Sequence, residues 1–217
     1  VKKLQVIAVL LALALGAAYM NQGSPSRHKG ESVSGAFDYY LLALSWSPTY
    51  CLTHDTDEQC SGKGYGFVLH GLWPQYGKGG WPQDCAQTAL TAEERRQGRM
   101  LFPSAKLLNH EWKKHGTCSG LGAVGYLDKA DKALAAVKIP TILQPSTTPH
   151  YLDADEIVQL FRQNNPGMPD NGVVVTCSGP ELAEVHVCLA KDLAFTACGK
   201  GVRNQCRSGK VRVPGIR

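Results

Sequence analysis

The stretch His110-Glu111-Trp112-Lys113-Lys114-His115-Gly116-Thr117-Cys118 places two histidines, a carboxylate and a lysine within six positions. Wound as a helix at about 100° per residue with His110 at zero, Lys114 falls at about 40°, Glu111 at about 100° and His115 at about 140°. The four ionisable groups then share one face. Trp112, at about 200°, points away from it and is assigned to the core, and Lys113, at about 300°, also lies elsewhere. Imidazoles take and give protons near neutral pH, and a neighbouring ammonium holds an anion, so the cluster suits acid–base chemistry on an anionic group. Plainer roles exist for each member taken alone: Glu111 as an exposed helical partner of Lys114, a single histidine as a hydrogen-bonded structural residue. The zinc helix HExxH is a poor description. Its histidines are four apart, whereas His110 and His115 are five apart with a lysine between them, too far around the helix for joint ligation.

A further histidine lies upstream in Gly66-Phe67-Val68-Leu69-His70-Gly71-Leu72-Trp73-Pro74-Gln75. Its apolar run reads as a buried strand that ends at His70. Gly71, lacking a Cβ, permits a close approach or an unusual turn at that point. Trp73 and Trp81, taken alone, read as ordinary core aromatics.

The elements that must position these groups alternate along the chain. Residues 37–46 form an apolar run with two tyrosines, a central strand by composition. A loop over 49–66 leads to the strand at Phe67, and a loop rich in Gly, Pro and Trp runs on to Cys85. Thr91 before Ala92, Glu93 and Glu94 marks a capped helix start. Residues 107–115 are the histidine-bearing helix. Residues 123–137 carry apolar groups at helical spacing and are bounded by Pro140. Asp153 caps a helix running to about residue 163, ahead of Asn165-Pro166-Gly167. Segments 172–177 and 182–189 are β-rich, and Gly179-Pro180 between them is a hairpin turn. No repeat or linker divides this series, and interleaved strands and helices suit a single α+β domain over 36–217.

Before that domain, Lys2 and Lys3 precede an apolar run over 4–15 and the small residues Gly16, Ala17 and Ala18. This is the pattern of a secretory signal over 1–18, cleaved after Ala18; the alternative, an uncleaved anchor, needs a run of about 20 residues. Residues 19–35 are polar and Gly/Ser-rich and read as a flexible segment. A periplasmic or secreted protein is expected. Cys51, Cys60, Cys85, Cys118, Cys177, Cys188, Cys198 and Cys206 follow, an even number with no CxxC pair, which favours four disulfides over a zinc site. Spacing alone leaves their pairing open. The formal charge of +5 falls to +3 without Lys2 and Lys3, compatible with a polyanionic partner but short of a strongly basic nucleic-acid binder. Positive charge gathers at Arg95, Arg96 and Arg99, and at Arg203, Arg207, Lys210, Arg212 and Arg217. Phosphate contact and an ordinary solvated surface are both open to these clusters.

The two histidine segments, in this order and with cysteines around them, resemble the active-site motifs of the ribonuclease T2 family, HGLWP and HEWxKHGTC, in the style of its secreted bacterial branch. The resemblance extends from about residue 37 to residue 206. It implies an antiparallel, bent sheet with helices packed beside it. It further implies a metal-independent endoribonuclease acting on single-stranded RNA, with no cofactor. The ribose 2′-OH attacks its own phosphate, leaving a 2′,3′-cyclic end, so DNA is spared. His70 and His115 become the acid–base pair, with His115 as base and His70 as acid in cleavage and the roles exchanged when the cyclic phosphate is hydrolysed. His110 holds the phosphate or the ribose side, Lys114 stabilises the charged transition state, and Glu111 tunes its neighbours or shares a proton. Trp73, Trp81 and Gln75 are placed near a base. Ser45 stands in the first strand where many members carry glutamine, so the base contact made there in the family is not carried over to this chain. The implied disulfides are Cys51–Cys60, Cys85–Cys118, Cys177–Cys206 and Cys188–Cys198. A monomer free of the membrane after signal cleavage is expected. A catalytically silent RNA- or protein-binding member is the alternative; the presence of His70, His110, Glu111, Lys114 and His115 together argues against it.

Overall fold

The apolar run after Phe37 becomes β1 (Tyr39–Trp46), buried along nearly its whole length on both faces, as a strand at the middle of a layered sheet must be. The structure, a computed structural model, describes residues 33–207 and 209–216, so the expected signal over 1–18 and residues 19–32 lie outside the described residues. β2 (Phe67–Gln75) pairs antiparallel with one edge of β1 and β5 (Glu181–Leu189) with the other. β4 (Val173–Ser178) lies on the far edge of β5. The β4–β5 hairpin closes through Gly179-Pro180, with Gly179 at φ +60°; glycine supplies the positive φ and proline its fixed φ for the second turn position. β3 (His150–Asp153) and β6 (Lys210–Val213) form a second antiparallel pair, joined to β5 by one parallel contact, Glu181 against Arg212. The sheet thus has six strands in the order β2-β1-β5-β6-β3, with β4 also on β5.

A helical turn, α1 (Ser47–Tyr50), ends β1. α2 (Ala92–Gly98) starts at a capping box in which Thr91 and Glu94 satisfy each other's backbone N–H groups. α3 (Ala105–Lys114) is capped by Ser104, whose hydroxyl accepts from the Leu107 amide. α4 (Gly122–Ala136) follows, and α5 (Ala154–Asn164) begins at a second capping box, Asp153 with Glu156. Helices and sheet meet over a core that includes Tyr40, Leu42, Leu44, Leu72, Leu108, Trp112, Tyr126 and Phe161. The opposite face of β1 offers a smaller apolar cluster, Tyr39, Leu41 and Ala43 with Cys188, against which Trp73, Cys198 and Val202 pack. That second face carries the site.

Four disulfides join Cys51–Cys60, Cys85–Cys118, Cys177–Cys206 and Cys188–Cys198. Val33–Gly35 sit at the end of the stretch read as flexible, yet they are fastened: Ser34 donates to the Thr117 carbonyl at 2.7 Å and the Gly35 amide to that of Cys118 at 2.9 Å. The strands β3 and β6 escape the sequence reading because each is four residues long and of mixed polarity. The basic clusters are largely spoken for. Arg96 pairs with Glu93, Arg99 with Glu58, Lys210 with Asp153 and Arg212 with Glu181.

Cys85–Cys118 closes a loop of 33 residues and ties the Trp81 loop to the end of α3. Replacing both cysteines with alanine should cost about 3–4 kcal/mol of stability in the chain-entropy model. Urea unfolding of the double variant checks this; a midpoint equal to that of the parent would show that the hydrogen bonds around the bridge suffice.

Candidate active site

Ala43 of β1 pairs with Gly71 of β2 and Leu44 with Leu69, so His70 is an extra residue without a partner across the ladder. A bulge of this kind bends its strand and re-aims a side chain. It delivers His70 to the face where β5 presents Glu184 and His186. Those two are two residues apart on one strand and so share a face. His70 Nδ1 bonds Glu184 Oε1, and Glu184 Oε2 lies 2.6 Å from His186 Nε2.

From the other side comes α3. Its Glu111 is buried, and its carboxylate accepts from Trp73 Nε1 at 2.6 Å and lies 3.6 Å from His70 Nε2. The approach is possible only because residue 71 is glycine: a Cβ there would stand 2.0 Å from Glu111 Oε2 and 2.3 Å from Trp73 Nε1. His115, at the C-terminal cap of α3, is also buried and stacks on Trp73 with ring centroids 5.2 Å apart. Trp112 faces the core, donating to the Thr88 carbonyl at 2.7 Å and meeting Tyr126.

The cleft they surround measures about 480 Å³. His70, Trp73, Gln75, Trp81, His110, Glu111, Lys114 and His115 all border it, so the residues singled out from sequence converge on one place. Trp81 is half exposed at its rim and Gln75 is buried. A second cavity of about 260 Å³ lies beyond, bordered by Ser45, Tyr50, Asp57, Ser104, Lys106 and Leu107. His70 and His110 border both, and stand between them. Sequence reasoning missed Glu184 and His186, although a carboxylate and a histidine two apart within an apolar strand are a readable signal. It also left Lys200 unremarked. Lys200, Arg203 and Gln205 line the cleft from the segment that follows Cys198.

The environments drive the two histidines apart. Burial lowers the pKa of His70, but the hydrogen bond and charge of Glu184, with the charge of Glu111, outweigh it and leave the ring above its ordinary value. His115 is pushed down to about 3 by burial and by the charges of Lys114, His110 and His70. His110 is also lowered, by burial and then Lys114. Burial raises Glu111 to about 7 against the opposing pull of His70 and Trp73. Burial would also raise Glu184, yet its bonds to His186 and His70 hold it well below the carboxylate range.

Residues 37–198 match the family model described as "Ribonuclease T2 family". The chain is 47% identical over 116 residues to "Ribonuclease" of Aeromonas hydrophila, a match covering 53% of this chain and 51% of that protein. It is 33% identical over 156 residues to "Probable ribonuclease" of Haemophilus influenzae, covering 64% and 54%. The chain thus spans about half the length of these two curated relatives. Among solved structures it resembles RNase NT in complex with 5′-AMP, with a TM-score of 0.62, 25% identity, and coverage of 82% of this chain and 98% of that one.

Gly71→Ala tests the contact on which the cleft is built. Trp73 and Glu111 are hemmed in by each other and by the rings of His70 and His115, so the added methyl overpacks the site at a cost of about 1–3 kcal/mol. Differential scanning calorimetry should show a melting temperature lower by several degrees. An unaltered transition would mean that Glu111 swings clear at no cost.

Proposed function

The chain belongs to the ribonuclease T2 family, and from that premise we propose that it is a metal-independent endoribonuclease that cleaves single-stranded RNA by transesterification. The observation that carries the reading is the convergence of His70 and His115 on one cleft, in surroundings that shift the first ring's pKa up and the second's down. A 2′-OH nucleophile needs a base, a departing 5′-oxygen needs an acid, and the phosphoryl oxygens need cations. His115, neutral across the physiological range, takes the 2′-OH proton. His70, protonated, gives one from Nε2 to the 5′-oxygen. Lys114 lies among these groups and meets the charge that builds on the phosphoryl oxygens. Glu111, its pKa raised to about 7 by burial, either accepts from His70 or shares a proton with a phosphoryl oxygen. His110, more exposed, holds the phosphate. A 2′,3′-cyclic phosphate results, and the same pair in exchanged roles hydrolyses it with water.

The two cavities on either side of His70 and His110 suit the nucleotides flanking the scissile phosphate. Trp73 and Trp81 offer ring faces for a base in the larger one, Gln75 an amide for its edge, and Lys200 and Arg203 charge for a phosphate further along. A single chain, free of the membrane, acting in the periplasm or outside the cell, fits the disulfides. Among the described residues no helix is long and apolar enough to cross a membrane.

A ribo-oligonucleotide should be cut to fragments with 2′,3′-cyclic ends, in excess EDTA as well as without it, while the deoxy oligonucleotide of the same sequence stays intact. Comparable cutting of the deoxy strand would falsify the 2′-OH mechanism. His70→Ala and His115→Ala should each lose at least about 100-fold in kcat, with the fold kept.

The pH dependence has a determined sign. Activity requires His115 neutral, so kcat/KM rises with pH through a value below 6.5, the ordinary imidazole pKa. It requires His70 charged, so kcat/KM falls through a value above 6.5. Lys114→Met removes a positive charge beside His115, and the acid limb should move toward neutrality. A profile with its acid limb above pH 7 in the parent protein would reverse the assignment of base.

A further inference from the structure

We propose that Glu184 is a positioning residue for His70: held by His186 at its other oxygen, it fixes the imidazole with Nδ1–H toward β5 and Nε2 toward the cleft. The inference rests on the reading of His70 as the proton donor and extends it to two residues on a different strand.

The geometry is closed on every side. Glu184 Oε1 takes His70 Nδ1 and Oε2 takes His186 Nε2 at 2.6 Å, so both carboxylate oxygens are engaged and turning the group would break a bond. The side chains of Glu184 and His186 are only 18% and 13% exposed, against 31% for His70. His186 meets Trp73 edge-on, with ring centroids at 5.5 Å, and Trp73 also packs edge-on against His70 at 5.1 Å. Trp73 in turn holds Glu111, the group that faces His70 Nε2. His186, Glu184, His70, Glu111 and Trp73 therefore form a ring of contacts, and none can turn without breaking one. Two irregularities of the sheet fall beside this ring: His70 is the extra residue of β2, and Ala183, next to Glu184, is skipped where β4 pairs β5. Irregular pairing at these points aims side chains that a regular ladder would not bring together.

The arrangement has a chemical consequence. An ionised Glu184 accepts from both imidazoles, which puts a hydrogen on His70 Nδ1. When His70 gives its Nε2 proton to the departing 5′-oxygen, the Nδ1–H bond remains. The neutral ring left behind is the tautomer whose lone pair faces the cleft. That lone pair takes the proton from water when the cyclic phosphate is opened, and the charged ring is restored. The groups that face His70 are Glu184 and His186 from β5, Glu111, Lys114 and His110 from α3 and His115 at its cap, and Tyr50, Asp57 and Lys106 across the smaller cavity. Of these, Glu184 is the one bonded to Nδ1.

Two measurements test the proposal. Glu184→Gln keeps the size of the side chain and an acceptor oxygen but removes the charge. The alkaline limb of kcat/KM should move toward acid by about 1–3 units, since a charge next to His70 is lost. At pH 8 kcat should fall about tenfold or more, and KM for a dinucleotide should change by less than about twofold. A variant that is folded by circular dichroism and keeps its alkaline limb in place overturns the proposal, because a merely structural role would lower the folded fraction without moving the limb. The second measurement uses the unaltered protein. Its ¹⁵N spectra, recorded above the titration of His70, should show the Nδ1–H tautomer; an Nε2–H tautomer overturns the proposal even if RNA is cleaved. Finding the Nδ1–H tautomer in a protein that cleaves no RNA would support the hold of Glu184 and sink the proposed function instead.

Discussion

The side chain of Glu111 reaches from α3 to the backbone of β2 and lies against the hydrogens of Gly71, and the register of helix against sheet follows from that contact. A buried carboxylate is costly unless its oxygens find partners. Here one oxygen takes the indole N–H of Trp73 and the other faces His70. The helix can satisfy Glu111 only in the position where its next turn brings His115 over the Trp73 ring. One packing constraint therefore sets the separation of the two histidines, which sit on different elements and 45 residues apart in sequence. Precise placement of this kind is what proton transfer in a bound complex demands.

The same constraint explains how two identical side chains acquire opposite character. His70 lies at a bulge between two carboxylates; burial alone would lower its pKa, and they outweigh it and leave the ring above its ordinary value. His115 lies one helical turn from Glu111 but turned onto an indole face, with Lys114 next to it in sequence and no carboxylate bonded to it. Among the described residues its buried Nδ1 has no hydrogen-bond partner that would offset the cost of a charge on that ring. Environment alone separates the two, the general way in which a fold obtains an acid and a base from one residue type at one pH.

How far this was legible in sequence depends on the range of the interactions. The α3 cluster is local: helical periodicity alone put His110, Glu111, Lys114 and His115 on one face and sent Trp112 to the core, where it is found. Gly71 could be read as a point of close approach, but not what approaches, since Glu111 is 40 positions on. Caps with a sequence signature were readable at Thr91 and Asp153, whereas Ser104, behind Pro103, was passed over and α3 begins two residues earlier than its apolar pattern suggested. Glu184 and His186 were missed for a different reason. Their meaning comes from the pairing of β5 beside β1 and from the bulge at His70, and strand partnership is not encoded within either strand. The short strands β3 and β6 became visible only through each other. Likewise the basic tail looked uniform in sequence, yet pairing separates Lys210 and Arg212, bound to acids on neighbouring elements, from Arg203, which lines the cleft.

The disulfides complete the physical account of the cleft, because they sit where regular structure gives out. One wall is the loop that carries Trp81, and the other is the segment 199–205 with Lys200 and Arg203; neither contains a helix, and the second joins the sheet by one β-bridge, Gln205 to Thr176, by bonds from the Gly199 amide to the Tyr39 hydroxyl and from the Val175 amide to Asn204 Oδ1, and by the packing of Val202. Loops of this length would sample many conformations and lose that entropy on binding a charged chain. Cys85–Cys118 fixes the first wall to the end of α3, helped by bonds from the Asp84 amide to the Lys114 carbonyl and from the Cys85 amide to the Thr117 hydroxyl. Cys188–Cys198 and Cys177–Cys206 bind both ends of the second wall to β5, which carries Glu184, and to β4 beside it. The clustered histidines and carboxylates rest on helix and sheet, held by packing. The groups at the rim rest on loops, held by covalent bonds. With the labour divided in this way, the bulge, the buried carboxylate and the staples act on one cleft from three sides.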